Sequence, residues 1–131
     1  MPIIIKDALV SDAEEMILTG EAAFANDLMN QAIFDRANAP PEEVAEYRAY
    51  RIAVATERMD RDGSHYFKAV DDSNDRIVGY VGIYNPSVDS TKPSSVPKPA
   101  CMNQNFEKEV MDSLYAAERK WIGDRKDVWC G

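Results

Sequence analysis

The chain has 131 residues, of which 45% are hydrophobic and 29% are charged. This length predicts one domain over residues 1–131, and no segment approaches the roughly 20 consecutive apolar residues that a transmembrane helix needs. The formal net charge of −8 argues against a broad nucleic-acid surface, because phosphate binding needs clustered lysine and arginine.

The first predicted elements are a strand and two helices. Residues 2–8, PIIIKDA, contain three consecutive β-branched isoleucines and predict a strand. Ser11 and Glu14 have the spacing of a capping box, in which the serine oxygen accepts from a free amide and the carboxylate reciprocates. Apolar residues then recur every three or four positions, which predicts a helix over residues 12–25 and a short helix over residues 28–34.

A longer helix is predicted over residues 41–60. Pro41 stands in its first turn, and the acidic Glu42 and Glu43 stand near the positive end of the helix dipole. The polar residues 60–63, DRDG, end this helix before the next strand begins.

Residues 65–84, HYFKAVDDSNDRIVGYVGIY, predict the hairpin around which the other elements are arranged. Strands are expected over residues 65–71 and 76–84, and residues 71–75, DDSND, have side chains that bond their own backbone and tolerate left-handed geometry. Strict alternation places Ile77, Gly79, Val81 and Ile83 on one face of the second strand, and Val78, Tyr80, Gly82 and Tyr84 on the other. Because both faces are apolar, this strand is predicted to be central and covered on both sides, with Gly79 and Gly82 allowing close approach of other groups.

The last third of the chain begins with a change of composition. Residues 86–104 are rich in proline and serine and predict a flexible loop within the domain. Helical periodicity returns over residues 105–122, and Gly123 follows where a C-terminal glycine is typical. Val128, Trp129 and Cys130 begin what is expected to be another strand. The expected class is therefore α/β of the α+β type, with a mostly antiparallel sheet flanked by helices.

In this order of elements the chain resembles the GNAT superfamily of acyl-CoA-dependent N-acetyltransferases, and most of all its fungal members. The likeness is carried by IIIKDALVSDAEEM at the start, RIVGYVGIYNP on the hairpin and NFEKEVMDSLYAAERKWIGDRKDVW near the end. The resemblance implies transfer of acetyl from acetyl-CoA to the amine of a small molecule or a protein. It also implies that these residues are the N-terminal, acceptor-side half of the fold, without the C-terminal half.

The chain departs from the family at the cofactor site. The resemblance implies that Val128, Trp129 and Cys130 open the strand leading into a Gln/Arg-x-x-Gly-x-Gly/Ala loop, whose amides hold the pyrophosphate. No such pattern occurs in the 131 residues, so no cofactor-binding residue is identified. Losing three hydrogen bonds of roughly 1.5–3 kcal/mol each weakens binding at least about a thousandfold. We therefore expect little or no binding of acetyl-CoA and no measurable acetyl transfer by this chain.

The resemblance also suggests an acceptor pocket, because the first helices and the hairpin form the acceptor side of the cleft in the family. The substrate-binding candidates carried over by position are Phe24, Leu28, Phe34, Tyr80 and Tyr84. Ordinary core packing is the competing interpretation of these side chains. Glu42, Glu43 and Glu46 are suited to attracting an amine, but they fit a solvated first helical turn equally well.

No catalytic residue can be assigned from the sequence. His65, the only histidine, is a candidate general base, with a solvent-facing or capping role as the alternative. Cys101 is a candidate nucleophile, but no histidine or asparagine is positioned by a motif to activate it. Cys130 is most simply a small core residue. One histidine and two cysteines are too few for a zinc site, so no metal is expected.

Three function classes stay open: the acceptor half of an acetyltransferase, a non-catalytic interaction or dimerisation module, and a small enzyme of another type with an aromatic-lined cavity. The few residues from Val128 onward cannot pair with the whole of a strand over 76–84, which predicts a homodimer through the exposed sheet edge. Cover by the loop at residues 87–99 and a swap of the Trp121–Trp129 tail between copies are the alternatives. The start MPIIIK has no basic leader, so a cytoplasmic or nuclear location is expected, with no membrane partner.

Overall fold

The computed structural model describes residues 2–86, 88–89, 92–125 and 127. In chain order the elements are β1 (Ile3–Asp7), a short 3-10 helix (Val10–Asp12), α1 (Ala13–Ala23), α2 (Leu28–Ile33), α3 (Pro41–Met59), β2 (Ser64–Asp71), β3 (Arg76–Tyr84) and α4 (Gln104–Trp121). Each helix and strand predicted within the described residues forms within two residues of its expected bounds. The fold is α+β, with a three-stranded antiparallel sheet and four α-helices in the described part. The strand expected from Val128 onward lies outside these residues.

The order of the strands differs from the prediction. The sheet runs β1-β2-β3, so β2 is the central strand and β3 lies at an edge of the sheet as described. The prediction of a central β3 covered on both faces is therefore wrong for this part of the chain. Val81 of β3 is 53% exposed, which shows that one face of the strand is open. The hairpin itself is confirmed, since Lys68 lies opposite Tyr80.

A β-bulge at Val78 changes which side chains of β3 share a face. Lys68 lies opposite Tyr80, but Val70, two residues further along β2, lies opposite Ile77, three residues back along β3. Residues that lie opposite each other in an antiparallel pair share a face, so Ile77 and Tyr80 point to the same side. The predicted alternation put them on opposite sides and is wrong, because the extra residue shifts the two-residue period by one.

The turn between β2 and β3 has the predicted chemistry. The buried carboxylate of Asp71 accepts from the amide of Ser73 at 2.9 Å, from the Ser73 hydroxyl at 2.6 Å and from Asn74 Nδ2 at 3.1 Å. Asp75 adopts the left-handed region with φ of 57°. The hydrogen bonds from Ser73 hold the pKa of Asp71 below its usual value. This turn fixes where β3 begins and hence the register of the hairpin.

Two clusters form the core. Met16 of α1, Val70 of β2 and Ile77 of β3 form one, on the face of the sheet against which α1 and α3 pack. The other consists of Phe34, Tyr47 and Met102, with the rings of Phe34 and Tyr47 stacked at 4.3 Å. The second cluster joins the α2–α3 connection, α3 and the segment before α4.

The start of α1 differs from the predicted capping box. The carboxylate of Asp12 accepts from the amide of Leu9 at 2.7 Å and closes the preceding 3-10 helix. No hydrogen bond joins Ser11 to Glu14 among the described residues, so the capping-box prediction is wrong. Asp12 also pairs with Lys68 of β2 at 2.7 Å, which ties the start of α1 to the sheet. The bonds from Lys68 and Leu9 more than offset burial, so the pKa of Asp12 is lowered.

The segment before α4 has no helix or strand in its described residues, as predicted, and it contacts the helices. Glu57 of α3 accepts from the Ser94 hydroxyl at 2.9 Å and from the Ser95 amide at 3.1 Å. Gly123, with φ of 60°, ends α4 as predicted. Trp121, on the apolar face expected for this helix, is 78% exposed among the described residues.

Candidate functional site: a cavity between three helices and β3

A cavity of about 260 Å³ opens between the end of α1, α2, the α2–α3 connection, α3 and β3. Its lining residues are Gly20, Glu21, Phe24, Ala25, Met29, Asn30, Gln31, Phe34, Arg36, Ala37, Tyr47, Arg51 and Tyr80. Ligand pockets typically measure about 300–1,000 Å³ and are mostly apolar with a few polar groups. This cavity therefore suits a small ligand with an apolar body.

Three of the five predicted acceptor residues meet in this cavity. Phe24 from the end of α1, Phe34 from the α2–α3 connection and Tyr80 from β3 all line it. Leu28 is 80% exposed and is not among the lining residues. Tyr84 is also outside the lining, and its hydroxyl lies 2.7 Å from that of Tyr66. Three of the five predicted residues therefore line the cavity, and two lie outside it.

A glycine in α1 lets Tyr80 reach the cavity. A Cβ atom built on Gly20 would lie 2.9 Å from Tyr80 Oη, closer than ordinary packing allows. The bulge at Val78 places Tyr80 on the side of the sheet that faces α1. Gly79, interpreted from the sequence as a site of close approach, was the available signal for the bulge, since a glycine within a strand often marks one.

The charged part of the wall is built around Glu21. Its Oε1 lies 3.1 Å from Arg36 Nη2, and its Oε2 lies 2.8 Å from Arg48 Nη2. The hydrogen bonds to Glu21 raise the pKa of Arg48. Further along α3, the guanidinium carbon of Arg51 lies 6.0 Å from the centroid of the Tyr47 ring. Sequence reasoning missed these arginines. The spacing of Arg48 and Arg51, three apart on one helix, was the available signal.

The other candidate residues lie away from the cavity. His65 is exposed on β2, opposite Ile83. Cys101 is half-buried, and its Sγ donates to the Glu43 carbonyl at 3.9 Å. Burial raises the pKa of Cys101, and the carboxylates of Glu46 and Glu43 act in the same direction. A raised pKa disfavours the thiolate that a nucleophile needs, so nothing around Cys101 activates it.

The acidic first turns of α3 and the remaining cysteine do not add to the cavity. Glu42, Glu43 and Glu46 are not among the lining residues. Cys130 lies outside the described residues. Among the residues that the structure describes, no group of three or more His, Cys, Asp and Glu side chains could hold a metal ion. Within the same residues, no helix combines the length and the apolar character needed to cross a membrane.

The starts of α2 and α4 are closed by side chains. The Asn30 amide of α2 donates to Asp27, and the Phe106 amide of α4 donates to Asn103. These caps occupy amides of the kind that bind phosphate at a helix N-terminus. The glycines with positive φ, Gly63 and Gly123, follow the ends of helices instead of preceding their starts.

Comparison of the sequence with protein-family models and with curated proteins finds no match.

Proposed function

We propose that this chain is a small-molecule-binding α+β domain that resembles the acceptor-side half of a GNAT N-acetyltransferase, and that its cavity holds the acceptor. The observation that carries this proposal is the meeting of Phe24, Phe34 and Tyr80 in one cavity. These residues come from a helix end, a connection and a strand, and the likeness to the family had assigned all three to the acceptor side.

The role proposed for the cavity is binding and orientation. Its apolar wall removes apolar ligand surface from water, at about 25 cal/mol per Å² of area buried. In the reaction implied by the resemblance, an amine attacks the thioester carbonyl of acetyl-CoA while a base removes the amine proton, the C–S bond breaks, and CoA leaves as a thiolate that takes up a proton. No base is assigned, and the sequence lacks the glycine-rich loop that the resemblance calls for at the pyrophosphate. We therefore propose that these residues bind the acceptor and do not transfer acetyl by themselves.

Ligand-observed NMR with a panel of small aromatic compounds tests the binding role. We expect saturation transfer to some of these compounds, and we expect Tyr80→Ala to abolish it because this side chain forms the β3 wall. Leu28→Ala is the matched control, since Leu28 belongs to the same predicted set but lies outside the cavity. Equal loss in the two variants, or no transfer to any compound, would contradict the proposed function.

Thermal unfolding with CoA tests the part of the proposal that concerns the cofactor. A ligand present at a hundred times its dissociation constant stabilises a protein by about 2.7 kcal/mol. We expect no increase in Tm with millimolar CoA and no acetyl transfer to a panel of amines. A clear increase in Tm would show that the cofactor is held by an arrangement other than the loop of the family.

A second candidate function is an interaction module, and the exposed side of the sheet favours it. Ile5 of β1 and Val81 of β3 point to the face of the sheet opposite Met16 and are 66% and 53% exposed. No strand of the described residues pairs with the outer edge of β3. An open edge with apolar neighbours is a surface that another chain can extend.

A further inference from the structure

The charged lining of the cavity is cationic, although the whole chain carries a net charge of −8. Among the lining residues one carboxylate, that of Glu21, stands against two guanidinium groups, those of Arg36 and Arg51. Both oxygens of Glu21 already face guanidinium groups, Oε1 that of Arg36 and Oε2 that of Arg48. A cationic amine entering the cavity would meet a neutralised carboxylate and an excess of positive charge. This arrangement favours an anionic group on the ligand.

One guanidinium group in the wall lacks an acceptor. Among the described residues no carboxylate forms an ion pair with Arg51, whose guanidinium lies over the Tyr47 ring. Because Arg51 lines the cavity, its unpaired donors face an acceptor that a ligand would bring from outside the chain. The planar fork of a guanidinium matches a carboxylate.

We infer that the cavity binds a small carboxylate with an aromatic or branched apolar body. Phe24, Phe34 and Tyr80 contact the apolar body, and Arg51 donates to the carboxylate. This inference rests on the proposed function, because it names the ligand class of the same cavity. For acetyl transfer it narrows the acceptor from amines in general to amines that also carry a carboxylate, such as an aromatic amino acid.

Four ligands of similar size distinguish the effect of ligand charge on affinity from the effect of ligand shape. They are 3-phenylpropionate, L-phenylalanine, the neutral 3-phenylpropanamide and 2-phenylethylamine. Titration calorimetry of the full chain measures the affinity for each. We expect the two carboxylates to bind, and the amide to bind roughly ten- to a hundredfold more weakly, because a hydrogen bond to a charged group is stronger than a neutral one. The amine, which brings a positive charge to the arginines, is expected to bind most weakly of all.

Arg51→Gln and Arg58→Gln form a matched pair of variants on α3. Arg58 is two turns further along the helix and lies outside the cavity lining. We expect Arg51→Gln to weaken 3-phenylpropionate at least about tenfold and to leave the amide nearly unchanged, whereas Arg58→Gln changes neither. Circular dichroism of both variants verifies that the fold is retained.

The outcomes distinguish this inference from the proposed function. Three results would overturn the inference without contradicting the proposed acceptor cavity. They are equal affinity for the carboxylate and the amide, tighter binding of the amine than of the carboxylates, and an unchanged affinity for 3-phenylpropionate in Arg51→Gln. Failure of all probes to bind would overturn the inference together with the proposed function.

Discussion

The contact between Gly82 and Tyr66 gives a sharp test of how the hairpin is packed. The two residues lie opposite each other on β3 and β2. A Cβ atom built on Gly82 would lie 2.4 Å from one carbon of the Tyr66 ring and 2.5 Å from another, distances that real side chains do not tolerate. The ring cannot simply move, since it packs against the cluster of Met16 and its neighbours and its hydroxyl bonds to Tyr84.

The expected effect of Gly82→Ala follows from two opposing terms. Over-packing destabilises the folded state by about 1–3 kcal/mol, whereas replacing a glycine within a strand stabilises it by roughly 0.5–1 kcal/mol. We therefore expect a net loss of roughly 1–2 kcal/mol in the free energy of unfolding, which lowers Tm by roughly 3–5 °C per kcal/mol for a domain of this size. Urea denaturation followed by circular dichroism measures it.

Gly79→Ala is the control for this prediction. A Cβ atom on Gly79 would lie 3.9 Å from the Cβ of Ala69, which is ordinary contact. The same substitution three residues away should therefore leave the free energy of unfolding unchanged or raise it by up to roughly 1 kcal/mol. If Gly82→Ala is as stable as Gly79→Ala, the tight stacking of Tyr66 on Gly82 is refuted. Combining Gly82→Ala with Tyr66→Ala should give less than the sum of the single losses, since the clash then disappears.

Three further predictions concern the core, the loop and the sheet edge. Met16→Ala removes a fully buried side chain and should lower the free energy of unfolding by about 2–5 kcal/mol in the same urea assay. Hydrogen bonds from Ser95 and Ser94 lower the pKa of Glu57 from 4.5 to about 2, so its contribution to stability is present above pH 4.5 and is lost as the pH falls toward 2. Stability measured against pH should show this loss in the unmodified chain and not in Glu57→Gln. Light scattering at micromolar concentration should give the mass of a homodimer paired through β3, and Val81→Lys should give a monomer. A monomeric mass of the unmodified chain would refute pairing at this edge.

The sequence predicted most local features, with the capping box of Ser11 and Glu14 as the exception, and missed features that depend on contacts between distant elements. Helix periods, the turn beginning at Asp71 and the C-terminal Gly123 depend on neighbouring residues, and all appear where expected. The prediction that both faces of β3 are covered failed because an apolar strand has the same sequence pattern whether its second face is covered or exposed, as Val81 shows. The bulge at Val78 was missed because the neighbouring Gly79 is equally typical of a bulge and of a site of close approach.

The candidate site was predictable only in part, for a similar reason. Phe24, Phe34 and Tyr80 were found because the likeness to the family assigns whole elements to the acceptor side. The same reasoning included Leu28, since position along the chain does not reveal which way a side chain on a short helix points. The wall arginines Arg36 and Arg51 were missed because the cavity forms only where residues from α1, α2, α3 and β3 meet.

The bulge and the cavity are linked through α1. Glu15 Oε1 accepts from the amide of Ile77 at 2.8 Å, and the Thr19 hydroxyl donates to the Ile77 carbonyl at 3.1 Å. Side chains of α1 thus form hydrogen bonds with the backbone of β3 next to the bulge. Gly20, which follows Thr19 in α1, leaves the space that the Tyr80 side chain occupies. Because both backbone groups of Ile77 are engaged in this way, a second chain extending the sheet would have to pair with the part of β3 beyond the bulge. That part contains Tyr80, so any partner at this edge would lie beside the strand that forms one wall of the cavity, and the two proposed functions would share β3.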